Sequence, residues 1–105
     1  MQIQVNTDKN IEGTEALKQQ VASTLERILD RFSNHITRVE VHLSDENSAS
    51  KDTSMDKRCL LEVRVAGMQP VSVTDQADTV DQVVTGAARK MVSALDSALG
   101  KMSKS

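Results

Sequence analysis

A chain of 105 residues has room for one small domain, and 38% hydrophobic and 27% charged residues with a formal net charge of -2 make an ordinary soluble balance. The single aromatic residue, Phe32, excludes functions built on stacking bases or sugars against aromatic platforms. The one cysteine, Cys59, excludes an internal disulfide and points to a reducing cytoplasm, and the sequence shows neither a secretory signal nor an apolar run of membrane-spanning length.

Met1, Ile3 and Val5 alternate with Gln2, Gln4 and Asn6, the period of two of a strand with one buried face. Asn10 to Gly13 reads as a loop. From Thr14, a good N-cap residue, Leu17, Val21, Leu25, Ile28, Leu29 and Phe32 form one stripe of an amphipathic helix that closes at Ser33-Asn34-His35. Period two then returns, with Thr37, Val39, Val41 and Leu43 on the core side and Arg38, Glu40 and His42 on the other. Residues 44–57 are polar, rich in Ser and Asp and without periodicity, as expected of a mobile loop.

A third strand follows, in which Cys59, Leu61, Val63 and Val65 alternate with Arg58, Leu60, Glu62 and Arg64. Gly67 and Met68 turn the chain into a short peripheral strand through Val71 and Val73, with Pro70 at its start. The last segment, from Asp78 or Thr79 to about Leu99, places Val80, Val83, Val84, Ala87, Met91, Leu95 and Ala98 on one helical face. Thr79 and Gln82 fit a capping box, Gly100 fits a stop, and residues 101–105 are expected to fray. Gly86, Ala87 and Ala88 are small enough to admit the first helix at close range.

One-sided strands and two amphipathic helices predict a single α+β domain over residues 1–105. It has two layers in the order β-α-β-β-β-α, with a four-stranded mixed sheet ordered 1-2-3-4 and both helices on one face. On the open face, pairing Val41 with Val63 sets Glu40 opposite Arg64 and His42 opposite Glu62. Slipping by two residues sets like charges against each other, so the first register is expected.

Motifs of catalysis are missing: there is no phosphate-binding glycine loop, zinc-ligand pattern or nucleophile elbow. The chain therefore reads as a non-enzyme, without cofactor or small-molecule substrate. Cys59 beside Lys57 and Arg58 has the makings of a thiolate, but its alternation with outward charges favours the core. His35 and His42 do not share a face with Cys59, and Asp45, Glu46, Asn47 and Asp52 lack calcium-loop spacing, so no metal site is predicted. Charge on the helices is more informative. Arg89, Lys90, Lys101 and Lys104 against Asp96 leave residues 82–105 at +3, while Lys18, Arg27 and Arg31 are offset by Glu15, Glu26 and Asp30. These cations form either one modest basic patch or two ordinary solvated faces, and charge alone favours the second.

The element order, the start Met1-Gln2-Ile3-Gln4-Val5, the helix from Thr14-Glu15-Ala16-Leu17 and the run Ile36-Thr37-Arg38-Val39-Glu40-Val41-His42-Leu43 together resemble the ribosome hibernation-promoting factor and RaiA family. This family is also known as the ribosomal subunit interface or sigma-54 modulation proteins. The resemblance covers nearly the whole chain and is to a short form without a dimerising extension. It implies a cytoplasmic regulator of translation under stress whose helical face contacts 16S rRNA of the small ribosomal subunit near the decoding channel, silencing idle ribosomes. Lys18, Arg27 and Arg89 fall where members carry basic helix residues, whereas Thr24, Val92 and Asp96 stand where further cations are expected. The expected RNA contacts are Lys18, Arg27, Arg31, Arg89, Lys90 and Lys101. The alternative is a protein-interaction module that keeps the fold with weak or no RNA binding, using an edge strand or the open sheet face for a partner or, weakly, for a second copy.

Overall fold

The computed structural model describes residues 1–45 and 56–103, with side chains through residue 100. Strand β1 (Gln2–Thr7) leads into helix α1 (Glu15–Ile28) and a single 3-10 turn (Asp30–Phe32). Strands β2 (Ile36–Asp45), β3 (Lys57–Val65) and β4 (Val71–Ala77) follow, then helix α2 (Val80–Ser103). The sheet order is β1-β2-β3-β4, with β1 parallel to β2 and the other pairs antiparallel. This is the predicted α+β arrangement. Both caps form as their sequences require: the Leu17 amide donates to Thr14 Oγ1 and the Gln82 amide to Thr79 Oγ1, each at 3.1 Å.

The core lies between the sheet and the helical layer. Val21, Leu25, Leu29 and Phe32 meet Val39, Val41, Leu43, Leu61 and Val63 from one side, and Val83, Val84, Ala87, Met91 and Leu95 complete it from the other. Among the described residues no polar or charged residue is buried. The core is therefore held by apolar area, at roughly 25 cal/mol per Å² removed from water.

The β2–β3 register is the slipped one, contrary to expectation. Arg38 lies opposite Arg64, Glu40 opposite Glu62, and His42 opposite Leu60. Like charges directly opposed are tolerated because each has an opposite charge beside it. Arg38 Nε donates to Glu40 Oε2 at 2.8 Å along the strand, Arg38 also donates to Gln4 of β1, and Arg64 is diagonal to Glu40. The hydrogen bond from Arg38, with the fields of Arg38, His42 and Arg64, holds the Glu40 carboxyl below its usual value. The same register sets Lys57 against Asp45 at 3.2 Å, whereas the rejected one would have turned Asp45 onto buried Cys59.

Four further expectations are corrected. The register shifts between Ile36 and Arg38, so Ile36 is buried and Thr37 is exposed, donating its hydroxyl to the Arg64 carbonyl at 3.2 Å. Strands β2 and β3 reach Asp45 and Lys57, into the segment expected to be a loop, whose residues 46–55 lie outside the described ones. Strand β4 continues to Ala77, and helix α2 passes through Gly100 to Ser103. A glycine stop needs a left-handed backbone, and among the described residues the only positive-φ glycine is Gly67 (φ 81°), at the β3–β4 turn.

Candidate nucleic-acid interface

The helices place the predicted cations around the outward layer. Lys18 leans toward the β1 side, its Cε within 3.6 Å of where a Cβ on Gly13 would stand, beside Thr7. Lys90 lies on the opposite side, its Nζ 2.9 Å from both the Thr74 carbonyl and Asp75 Oδ1 of β4. Because β1 and β4 are the two edges of a four-stranded sheet, these lysines stand above margins roughly 14 Å apart at about 4.8 Å per strand. Arg31 crosses from the 3-10 turn after α1 to form an ion pair with Asp96 of α2, and its guanidinium lies 4.8 Å from the centre of the Phe32 ring.

Arg27 and Arg89 are exposed, and neither they nor Lys18 form an ion pair among the described residues. They are the cations most available to phosphate. Arg31 and Lys90 are already engaged by the carboxylates of Asp96 and Asp75. The Lys101 side chain lies outside the described residues. Between the helices, Leu17, Gln20, Val21, Thr24, Val80, Asp81 and Val84 line a small cleft of about 60 Å³, so Thr24 lies in an interhelical seam.

Asp75 lies in the part of β4 beyond the short strand expected through Val71 and Val73. The alternation Val71, Val73, Asp75, Ala77 continues the inward face of β4, so this carboxylate points under α2, half-buried, opposite Cys59. Its Oδ2 occupies the space a Cβ on Gly86 would need, at 2.0 Å. Gly86 therefore serves contact with β4, not the close approach to α1 expected of it. Cys59 is buried in the core, and burial, with a smaller contribution from the Asp75 charge, pushes its thiol up to about 12, which disfavours the thiolate.

On the open face, Arg38, Arg58 and Arg64 form a second set of cations, of which the sequence reading weighed Arg38 and Arg64 only as cross-strand partners and Arg58 only as a neighbour of Cys59. His42 Nε2 stands 3.7 Å from Glu40 Oε1 instead of meeting Glu62. His35 is exposed at the end of the 3-10 turn, where its amide donates to the Phe32 carbonyl at 2.8 Å. Among the described residues no group of three or more His, Cys, Asp or Glu side chains is placed to hold a metal ion.

The sequence model of the family described as Sigma 54 modulation protein / S30EA ribosomal protein matches residues 3–103. The N-terminal domain of Protein Y from Thermus thermophilus superposes with a TM-score of 0.67 at 23% identity, over 87% of this chain and 91% of that one. A ribosomal subunit interface protein from Coxiella burnetii superposes with a TM-score of 0.70 at 17% identity, over 100% of both chains. No curated protein sequence matches the chain.

Proposed function

The chain belongs to the Sigma 54 modulation protein / S30EA ribosomal protein family, and from that premise we propose that it is a non-enzymatic, ribosome-associated factor. In this reading it binds 16S rRNA of the small subunit near the decoding channel and silences idle ribosomes, in the cytoplasm and under stress. The family match over residues 3–103 carries the proposal, and the Coxiella burnetii ribosomal subunit interface protein, alike over its whole length, supports it. No helix among the described residues is long and apolar enough to cross a membrane.

Recognition would run through Lys18, Arg27, Arg31, Arg89, Lys90 and Lys101, as charge-assisted contacts to the phosphates of structured RNA, read by shape and backbone more than by base identity. Arg27 and Arg89 come first because their charge is not already engaged. Arg31 and Lys90 contribute less, since each phosphate contact is offset by release of Asp96 or Asp75. Reversing Arg27 and Arg89 to Glu should abolish co-sedimentation with small subunits while the circular dichroism spectrum is kept. Unchanged sedimentation would remove this surface from the account.

The internal pairing of Arg31 and Lys90 favours one competing reading, a protein-interaction module with the same fold and little affinity for RNA. In that case small subunits would not retain the wild-type protein at low salt, and its partner would be a protein.

A further inference from the structure

The two edges of the sheet are not alike. The β4 edge carries three devices that oppose strand addition: Pro70 at its start, the inward carboxylate of Asp75, and Lys90, whose Nζ bonds the Thr74 carbonyl at 2.9 Å. The β1 edge carries none of them. Gln2–Thr7 has no charge, proline or glycine, and its inward residues Ile3 and Val5 stay half-exposed although their neighbours Val39 and Val41 in β2 are fully buried. Helix α1 therefore leaves the apolar side of β1 under-covered.

We propose that the β1 edge is a self-association surface, at which a second copy of this chain adds its own β1 antiparallel about a two-fold axis and joins two sheets into one of eight strands. The strand is complementary to itself. Centred on Gln4, the pairing sets Gln4 against Gln4, Gln2 against Asn6 and Ile3 against Val5. Amides meet amides, each both donor and acceptor, with no like charges opposed. On the other side Ile3 and Val5 of both copies cover one another. Antiparallel addition keeps both helical layers on the same side of the joined sheet, so Arg27 and Arg89 take no part. Six residues of strand bury less than the roughly 1,200 Å² of a stable interface, so the association is weak and concentration-dependent.

Sedimentation equilibrium from micromolar to millimolar protein should show a monomer–dimer equilibrium that Arg27→Glu with Arg89→Glu leaves unchanged. Gln4→Cys stands at the two-fold centre, where directly opposed cross-strand Cα atoms about 4.5–5.5 Å apart lie within the span of a disulfide formed under mild oxidant. It should give a disulfide-linked dimer, whereas Ser72→Cys on β4 should stay monomeric. Native Cys59, buried, does not interfere. A wild type that is monomeric throughout the range, or a dimer that cross-links through Ser72→Cys and not through Gln4→Cys, overturns the proposal.

Discussion

Replacing Gly86 by Ala tests how the second helix is seated on the sheet. In an ordinary helix interior this change stabilises by about 0.8–1 kcal/mol, because alanine loses less backbone freedom and solvates less of it. Here the added Cβ would stand 2.0 Å from Asp75 Oδ2 and 3.0 Å from its Cγ, so the carboxylate must retreat from 2.0 Å to the 3.4 Å where ordinary contact begins. Asp75 is held by Lys90 at 2.9 Å and is only 20% exposed, so it cannot swing free without losing that partner. Overpacking of this kind costs about 1–3 kcal/mol. Set against the helix gain, Gly86→Ala should lower stability by about 1 kcal/mol, or some 4–8 °C in Tm for a domain near this size. On an Asp75→Ala background the obstacle is gone, and the same change should raise stability by about 1 kcal/mol. Urea unfolding of the four proteins reads a coupling of about 2 kcal/mol. Equal effects of Gly86→Ala in the two backgrounds would refute the seating of this carboxylate under α2.

Cys59, buried and with its thiol pushed up to about 12, should resist a thiol reagent at pH 8 and react only as fast as the protein opens, with prompt labelling in urea. Labelling of the native protein at the rate of an exposed thiol would contradict its place in the core. The Glu40 carboxyl is held below its usual 4.5, so its contribution to stability is complete above about pH 4.5 and is lost as pH falls through the lowered value. The stability gap between wild type and Glu40→Gln should therefore be present at pH 6 and close on acidification, and a gap independent of pH would show that Arg38 does not engage this charge.

What the sequence made legible was local. The caps at Thr14 and Thr79 involve groups three residues apart, and the stripes of α1 and α2 involve spacings of three and four, so both could be read from a linear string. The sheet order also followed, since one-sided strands and short connections leave few arrangements. The β2–β3 register did not, because directly opposed pairs alone favour the other alignment. The pair that offsets the opposed like charges, Arg38 with Glu40, lies within one strand, and the bulge at Thr37 shifts parity without a glycine to mark it. Strand β4 reads as ending at Val73 because an inward carboxylate imitates a loop; the alternation through Asp75 and Ala77 is the signal that it continues.

The candidate interface was legible as a set of residues and illegible as a surface. Lys18, Arg27 and Arg89 could be picked from helical position, but the carboxylates that engage Arg31 and Lys90 come from 65 residues downstream and 15 upstream. Those pairings depend on helix α1 lying beside α2 and on α2 crossing β4, facts of packing that no periodicity encodes.

The most direct measurement of the central claim is the affinity for isolated small ribosomal subunits as a function of salt, for wild type and for Arg27→Glu with Arg89→Glu. Binding through three to five phosphates predicts a log-log slope of about -3 to -5 for wild type, and loss of binding in the variant at every salt concentration. A wild-type affinity indifferent to salt, or a variant that binds as wild type does, would contradict an interface made of helix cations on RNA.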